Sequence, residues 1–223
     1  MTGKIYIIAT PIGNLKDITY RAVDTLKIVD LVYCEDTRQS RKLLNAYDIS
    51  VSLRSLHAHS NDKRVEEACK EVEAGRSIAY ITDAGTPGIS DPGNRLVREA
   101  RRRGITIIPL PGPSALATAA SMTGFDGKTI IFGGFLSKKP GRRINELEKL
   151  KANSGTIIIY ESPHRIMKLL NAVGTVFPDQ EVVIGREITK IHEEFLSFKG
   201  SSLLDENLKI TEKGEFVIAI NNN

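Results

Sequence analysis

The sequence predicts an α/β protein of two domains, with a mostly parallel sheet in the first half, a mixed sheet in the second and a ligand cleft between them. Three observations carry that expectation. Over the first half, short continuously apolar runs alternate with amphipathic segments, as strands buried on both faces of a parallel sheet alternate with their crossover helices. From "TIIFGGF" (129–135) onward, strand-like runs recur and the last of them follow one another without a helix between, which requires antiparallel pairs. Between the halves, small residues dominate 111–124. The boundary is placed there, giving domains 1–112 and 113–223, and 223 residues suffice for two such cores.

"KIYIIA" (4–9), "LVYCE" (31–35), "SIAYIT" (77–82) and "ITIIPL" (105–110) are the strands of the first half. The helix "TYRAVDTLKIVD" starts from a Thr19 cap, and "SNDKRVEEACKEVEAG" places Val65, Ala68, Cys69 and Val72 on one face between a Ser60 cap and Gly75. "DPGNRLVREARRRG" carries Asp91 as N-cap, Pro92 at the first helical position and Gly104 as stop. Repeats of strand, helix and strand imply right-handed crossovers. In the second half the strands are 129–135, "GTIIIYE" (155–161), "EVVIGRE" (181–187), "EEFLSF" (193–198) and "EFVIAI" (215–220), with the terminal "NNN" expected to fray.

Composition narrows the class. Hydrophobic content of 41% and charged content of 26% are ordinary for a globular protein and exclude disordered, collagen-like and coiled-coil chains. A net charge of +4 is compatible with a polyanionic partner without demanding one. Cys34 and Cys69 form no CxxC and read as buried thiols in a reducing compartment. No apolar run reaches the ~18 residues of a membrane span, and the start lacks a signal peptide, so a cytoplasmic protein without membrane contact is expected.

Parallel sheets bind ligands at the carboxyl ends of their strands. Here those exits read "ATPIGNLKD", "CEDTRQS", "TDAGTPGISDPG" and "PLPGPSA". A connector needs no loop containing Gly85, Pro87, Gly88, Pro92 and Gly93 together; a loop that brings backbone groups against a ligand does. Residues 83–91 are therefore read as a ligand cradle. Phosphate-loop signatures fail: "GFDGKT" (124–129) precedes a strand and has Met122 where the first glycine belongs, and "ATPIGNL" has one glycine where a dinucleotide fold needs three. Glu35, 22 residues after Gly13, stands where a ribose-binding acid would. S-adenosylmethionine, with an adenosine and no phosphate, fits this pattern. His57, His59, His164 and His192 lack zinc-like spacing, and no metal is expected.

Read together, "IYIIATPIGNLKDIT", "CEDTR", "ITDAGTPGISDPG", "PLPGPSA", "FGGFL" and "YESPHRI" resemble, over nearly the whole chain, a family within the tetrapyrrole methylase superfamily of S-adenosylmethionine-dependent enzymes. That family consists of the 16S rRNA cytidine-1402 2'-O-methyltransferases. The resemblance implies a tetrapyrrole methylase-like pair of α/β domains with S-adenosyl-L-methionine between them, usually as a homodimer, acting on 16S rRNA of the small ribosomal subunit. It assigns cofactor binding to Pro11, Asp83, Ala84, Gly85, Thr86, Pro87, Ile89, Ser114, Ala115, Phe135 and Tyr160. Some relatives continue into a further C-terminal helical segment beyond the equivalent of "GEFVIAI". Its wider superfamily also contains C-methyltransferases of corrin precursors, and a non-catalytic ribosome-assembly factor could keep the same fold.

A ribose 2'-hydroxyl is a weak nucleophile at neutral pH, and a nearby base or orienting hydrogen bond assists it. Glu35, Asp36 and Glu161 are the candidate groups, with Arg38 beside them. "CEDTR" also admits a salt-bridged strand end with Thr37 capping the next helix. Cations for RNA are expected in Lys138, Lys139, Arg142 and Arg143, read as a Gly/Pro-containing loop after a strand, and in Arg41 and Lys42. Arg101, Arg102 and Arg103 occupy a last helical turn, where cations complement the dipole and stay solvated.

Overall fold

Alternating side chains of five parallel strands feed two separate apolar layers, one on each face of the first sheet. In the computed structural model, which describes residues 3–57, 62–89, 91 and 93–223, these strands are β1 (Ile5–Ile8), β2 (Leu31–Cys34), β3 (Leu53–Ser55), β4 (Ile78–Ile81) and β5 (Ile107–Leu110), ordered β3-β2-β4-β1-β5. The helices are α1 (Tyr20–Ile28), α2 (Thr37–Ala46), α3 (Asp62–Glu73) and α4 (Gly93–Arg102). Ile5, Ile7, Tyr33, Ile78 and Tyr80 pack with α3 and α4 residues such as Cys69, Val72 and Leu96. Ile8, Val32, Cys34, Ala79 and Ile81 pack with Leu26 of α1 and Leu44 of α2. A period of two with both faces covered explains the unbroken apolar runs, and each fully buried aliphatic side chain contributes about 1.5–3 kcal/mol.

Boundary residues act locally as their chemistry dictates. The Thr19 hydroxyl accepts from the Ala22 N–H, and the chain leaves α3 and α4 through Gly75 (φ 93°) and Gly104 (φ 69°), where a side chain would be strained. The expected caps at Ser60 and the expected first helical position of Pro92 lie outside the described residues, as does His59. Asp36, not Thr37, caps α2: its Oδ1 accepts from the Arg38 N–H at 2.8 Å, and Thr37 is the first helical residue. The short edge strand β3, absent from the sequence reading, pairs with β2 from Val32–Leu53 to Cys34–Ser55.

The second sheet is ordered β6-β7-β10-β8-β9 and comprises β6 (Ile130–Phe135), β7 (Gly155–Glu161), β8 (Glu181–Arg186), β9 (Glu194–Lys199) and β10 (Phe216–Asn222). Only β6–β7 is parallel; the other pairs are antiparallel. With α5 (Ala115–Thr123), α6 (Pro140–Lys151) and α7 (Ile166–Val176) it builds its own core around Leu147, Leu169, Val173, Phe177 and Ile218. Two expectations are corrected. Asn221 and Asn222 do not fray: they pair with Thr156 and Gly155, and the Asn222 amide donates to the Lys151 and Asn153 carbonyls. Residues 140–143 are not loop but the first turn of α6, because proline at a helix start loses no hydrogen bond. By internal contacts the chain divides into Met1–Ser114 and Ala115–Asn223. Among the described residues no helix is long and apolar enough to cross a membrane.

Candidate functional site

In the first unit all strands point the same way, so the segments leaving β1, β2, β4 and β5 emerge along one edge. The segment after β4 is tied to the other three. Thr10 and Gly85 exchange backbone hydrogen bonds of 2.9 and 3.0 Å, an isolated antiparallel bridge, and the Thr10 hydroxyl donates to the Thr82 carbonyl at 3.0 Å. The Asp36 N–H donates to Asp83 Oδ1 at 3.1 Å, linking it to the β2 exit. The Thr86 hydroxyl donates to the Pro113 carbonyl at 3.0 Å, linking it to the β5 exit. Gly85 sits at φ 82°, a left-handed backbone that glycine adopts without strain, and a Cβ there would meet Ile12 at 3.4 Å, an ordinary contact.

Asp91 holds the far end of this loop. Its Oδ2 accepts from the Gly88 N–H at 2.5 Å and its Oδ1 from the Gly93 N–H at 2.8 Å, while the Asn94 amide donates to the Gly88 carbonyl at 3.2 Å. Hydrogen bonds of the protein's own thus tie Asp83, Gly85, Thr86 and Gly88 in place. Pro11, Gly85 and Pro87 are buried, Asp83 and Ala84 are exposed, and Thr86, Ile89, Ser114 and Ala115 are half-buried. The fit to S-adenosylmethionine is chemical: exposed backbone and a carboxylate suit a zwitterionic cofactor, and left-handed glycines keep side chains out of its path.

Electrostatics separate the acids along this edge. Burial, then the charges of Asp83 and Asp91, raises the Glu35 carboxyl above its ordinary value. Its Oε2 receives one long hydrogen bond, 3.4 Å from the Thr82 hydroxyl. Partial desolvation, assisted by the Asp36 charge, also raises Asp83 although its side chain stays exposed. Asp36 goes the other way, lowered to about 2 by the side-chain and backbone hydrogen bonds of Arg38, whose guanidinium grips both carboxylate oxygens at 3.1 and 2.7 Å. Arg41 and Lys42 lie exposed on α2, Lys42 with Nζ 3.0 Å from Gln39 Oε1.

In the second unit Tyr160 packs edge-on to Phe132 (4.9 Å between centroids) and to Phe135 (5.8 Å), and its hydroxyl accepts from the Leu116 N–H at the start of α5. Burial raises the Tyr160 phenol. Phe135 is 57% exposed. Glu161, in contrast, is buried: Oε1 accepts from the Ser162 N–H at 2.7 Å, and Oε2 lies 3.0 Å from Arg165, which also donates to the Leu136 carbonyl. Lys138 and Lys139 are exposed, and Arg142 pairs with Glu146 at 3.1 Å. Arg143 is buried, with Nη1 lacking a partner among the described residues.

The hydroxyls of Thr10 and Thr82, the link from Thr86 to Pro113, and the carboxylate of Asp91 as a clamp on Gly88 escaped the sequence reading; only their clustering at strand ends hinted at them. The spacing of Glu161 and Arg165 was a usable signal for their pairing. Among the described residues no group of three His, Cys, Asp or Glu side chains gathers as a metal site would.

The profile of the family described as Tetrapyrrole (Corrin/Porphyrin) Methylases matches residues 4–203. A ribosomal RNA small subunit methyltransferase I of Leptospira biflexa is 42% identical over 98% of the chain and 91% of its own length. One of Thermotoga maritima is 42% identical over 98% of each. Among solved structures, a uroporphyrin-III C-methyltransferase from Thermus thermophilus complexed with S-adenyl homocysteine superposes with a TM-score of 0.66, covering 97% of each chain at 13% identity, a likeness of fold.

Proposed function

The chain belongs to the tetrapyrrole methylases, within the ribosomal RNA small subunit methyltransferase I family, and from that premise we propose that it methylates the 2'-hydroxyl of cytidine 1402 in 16S rRNA. It is an S-adenosylmethionine-dependent methyltransferase. The observation that carries the RNA substrate is the 42% identity, over nearly full length, to relatives so named. Homodimeric assembly, action on the small subunit in the cytoplasm, and RNA contact by Arg41, Lys42, Lys138, Lys139 and Arg142 belong to the same proposal.

When bound, the cofactor supplies an electrophilic methyl group on a sulfonium. The protein's task is then placement, and holding two reactants in line is worth several kcal/mol of the barrier. Asp83 offers its carboxylate to the cofactor's ammonium, and the backbone of 84–87 supplies directional hydrogen bonds from a loop that does not have to reorganise. The Phe132–Tyr160–Phe135 cluster is an apolar face of the kind that keeps water from a sulfonium.

For the acceptor, the acids take unequal roles. Glu35 receives the proton that the hydroxyl loses: its raised pKa makes it the more basic carboxylate, and its single long hydrogen bond leaves it available. Asp36, held at about 2 by Arg38, is a poor base and serves to orient the guanidinium. Glu161 is engaged with Arg165 and holds the β7 exit. Arg143, being buried, supports α6 rather than RNA.

The deciding experiment is transfer of labelled methyl to small subunits and to naked 16S rRNA lacking the modification, followed by nucleotide mapping, with calorimetry of S-adenosylmethionine alongside. Label on one ribose is expected. Label on a base, or on a tetrapyrrole precursor instead of RNA, would replace the reading, and absence of cofactor binding would leave a non-catalytic assembly factor.

A further inference from the structure

Helix α4 buries Gly93, Leu96 and Ala100 and turns five arginines, Arg95, Arg98, Arg101, Arg102 and the adjoining Arg103, toward solvent or neighbouring acids. Two grooves run beside it, and they differ in charge. The first, about 460 Å³, is shared with α3 and contains Asp62, Glu66 and Glu99 among its arginines. There the cations are compensated: Arg95 pairs with Asp62, Arg102 with Glu99 at 2.8 Å, and Arg103 with Glu99 at 2.7 Å. The second, about 590 Å³, is lined by Asn94, Val97, Arg98, Arg101 and Arg102, with no acid among the described residues that line it. Arg98 and Arg101 are exposed and make no ion pair or hydrogen bond among the described residues.

We propose that this second groove binds the phosphate backbone of the RNA substrate. Positions 94, 98, 101 and 102 share one face of a helix, and with a rise of about 1.5 Å per residue the stripe is about 12 Å long. It begins at the cradle itself, because the Asn94 amide is bonded to the Gly88 carbonyl. A strand whose target ribose sits at the carboxyl edge of the sheet therefore meets this stripe as it leaves. The helix dipole accounts for cations in the last turn, but not for Arg98 near the middle or for a groove in which Arg98 and Arg101 have no counter-charge among the described residues, Arg102 alone being paired with Glu99. Guanidinium forks match phosphate oxygens. An anionic membrane would need apolar residues to insert beside the cations, and Val97 is the only one in the groove.

The assignment rests on the RNA-methylation reading above and is tested separately from it. Arg98→Gln/Arg101→Gln is compared with the equal-charge control Lys27→Gln/Lys149→Gln, on small subunits and on naked 16S rRNA, across a salt series. The wild-type log–log salt slope should fall by about 1.4–1.8 in the arginine variant, two contacts at roughly 0.7–0.9 each. KM for RNA should rise about tenfold while kcat and cofactor affinity stay unchanged, with the control behaving as wild type and Arg98→Lys/Arg101→Lys recovering most of the loss. An unchanged slope and KM in an active variant would overturn the groove and leave the RNA reading standing. A wild type that neither binds nor methylates either RNA removes that reading and the groove with it. A loss seen only with intact subunits would assign the stripe to a protein partner and overturn the proposal.

Discussion

Asp36 with Arg38, at the exit of β2, and Glu161 with Arg165, at the exit of β7, are the same chemical pair in two settings. The first is 2.7 Å long with an Arg38 side chain 87% exposed; the second is 3.0 Å long with a Glu161 side chain 0% exposed. In water, the Asp36 pair contributes little to folding and fixes the direction of an exposed guanidinium. Out of water, Glu161 alone would be an uncompensated buried charge; its partner Arg165, 20% exposed, carries the link on to the Leu136 carbonyl. Burial, not residue type, divides the functional candidate from the structural one.

The sharpest way to break this contrast is Glu161→Gln. Leaving Arg165 without its carboxylate partner should cost about 1–3 kcal/mol and lower Tm by about 2–12 °C at ~2–4 °C per kcal/mol. Scanning calorimetry that found the variant as stable as wild type would refute the assigned role.

Gly85→Val tests the first unit's edge without touching a charge. A branched side chain at φ 82° costs about 1–2 kcal/mol and displaces the bridge to Thr10. Titration calorimetry should show S-adenosylmethionine affinity falling more than tenfold, with only a few degrees lost from Tm.

A subtler test uses pH. If Glu35 must be ionised to accept the proton, the acid limb of kcat lies above the ordinary glutamate range, and Asp83→Asn, which removes the largest charge raising it, should move that limb to lower pH. For folding, a raised carboxyl contributes stability that is fully present below its unfolded value and is lost as pH rises through the folded one. Glu35→Gln should therefore leave stability at neutral pH unchanged or slightly higher while reducing kcat.

The smallest expected effect is that of Asp36→Asn on stability. Its lowered pKa contributes only above the ordinary 3.8 and is lost as pH falls toward about 2. Wild type and variant should melt together below that window, with wild type only slightly the more stable above it. The loss should appear instead in KM for RNA, as Arg38 becomes unanchored.

Fold was legible wherever a local rule had no competitor. Nine of the ten strands fall on the largely apolar runs picked out from the sequence, and Thr19, Gly75 and Gly104 sit where cap chemistry places them. β3 was missed because "LRS" is three residues long and half-buried throughout, too short for a period of two to register. The start of α6 was read as a loop because proline marks both a turn and a first helical position, and only the packing of Leu147 behind it distinguishes them.

At the candidate site, glycine and proline clustering at 83–91 announced a loop shaped for a ligand, since few other duties need that composition. Composition could not say that Gly85 bridges to Thr10, that Thr86 reaches Pro113, or that Asp83 takes the Asp36 N–H. Nor could it separate Glu35, Asp36 and Glu161, three carboxylates at strand ends that look equivalent in one dimension. Backbone propensity, capping and hydrophobic period act within a few residues, and so they can be read along the chain. Loop-to-loop hydrogen bonds join residues 27 to 75 positions apart, and the strength of desolvation and ion pairing depends on the water excluded by everything packed around them.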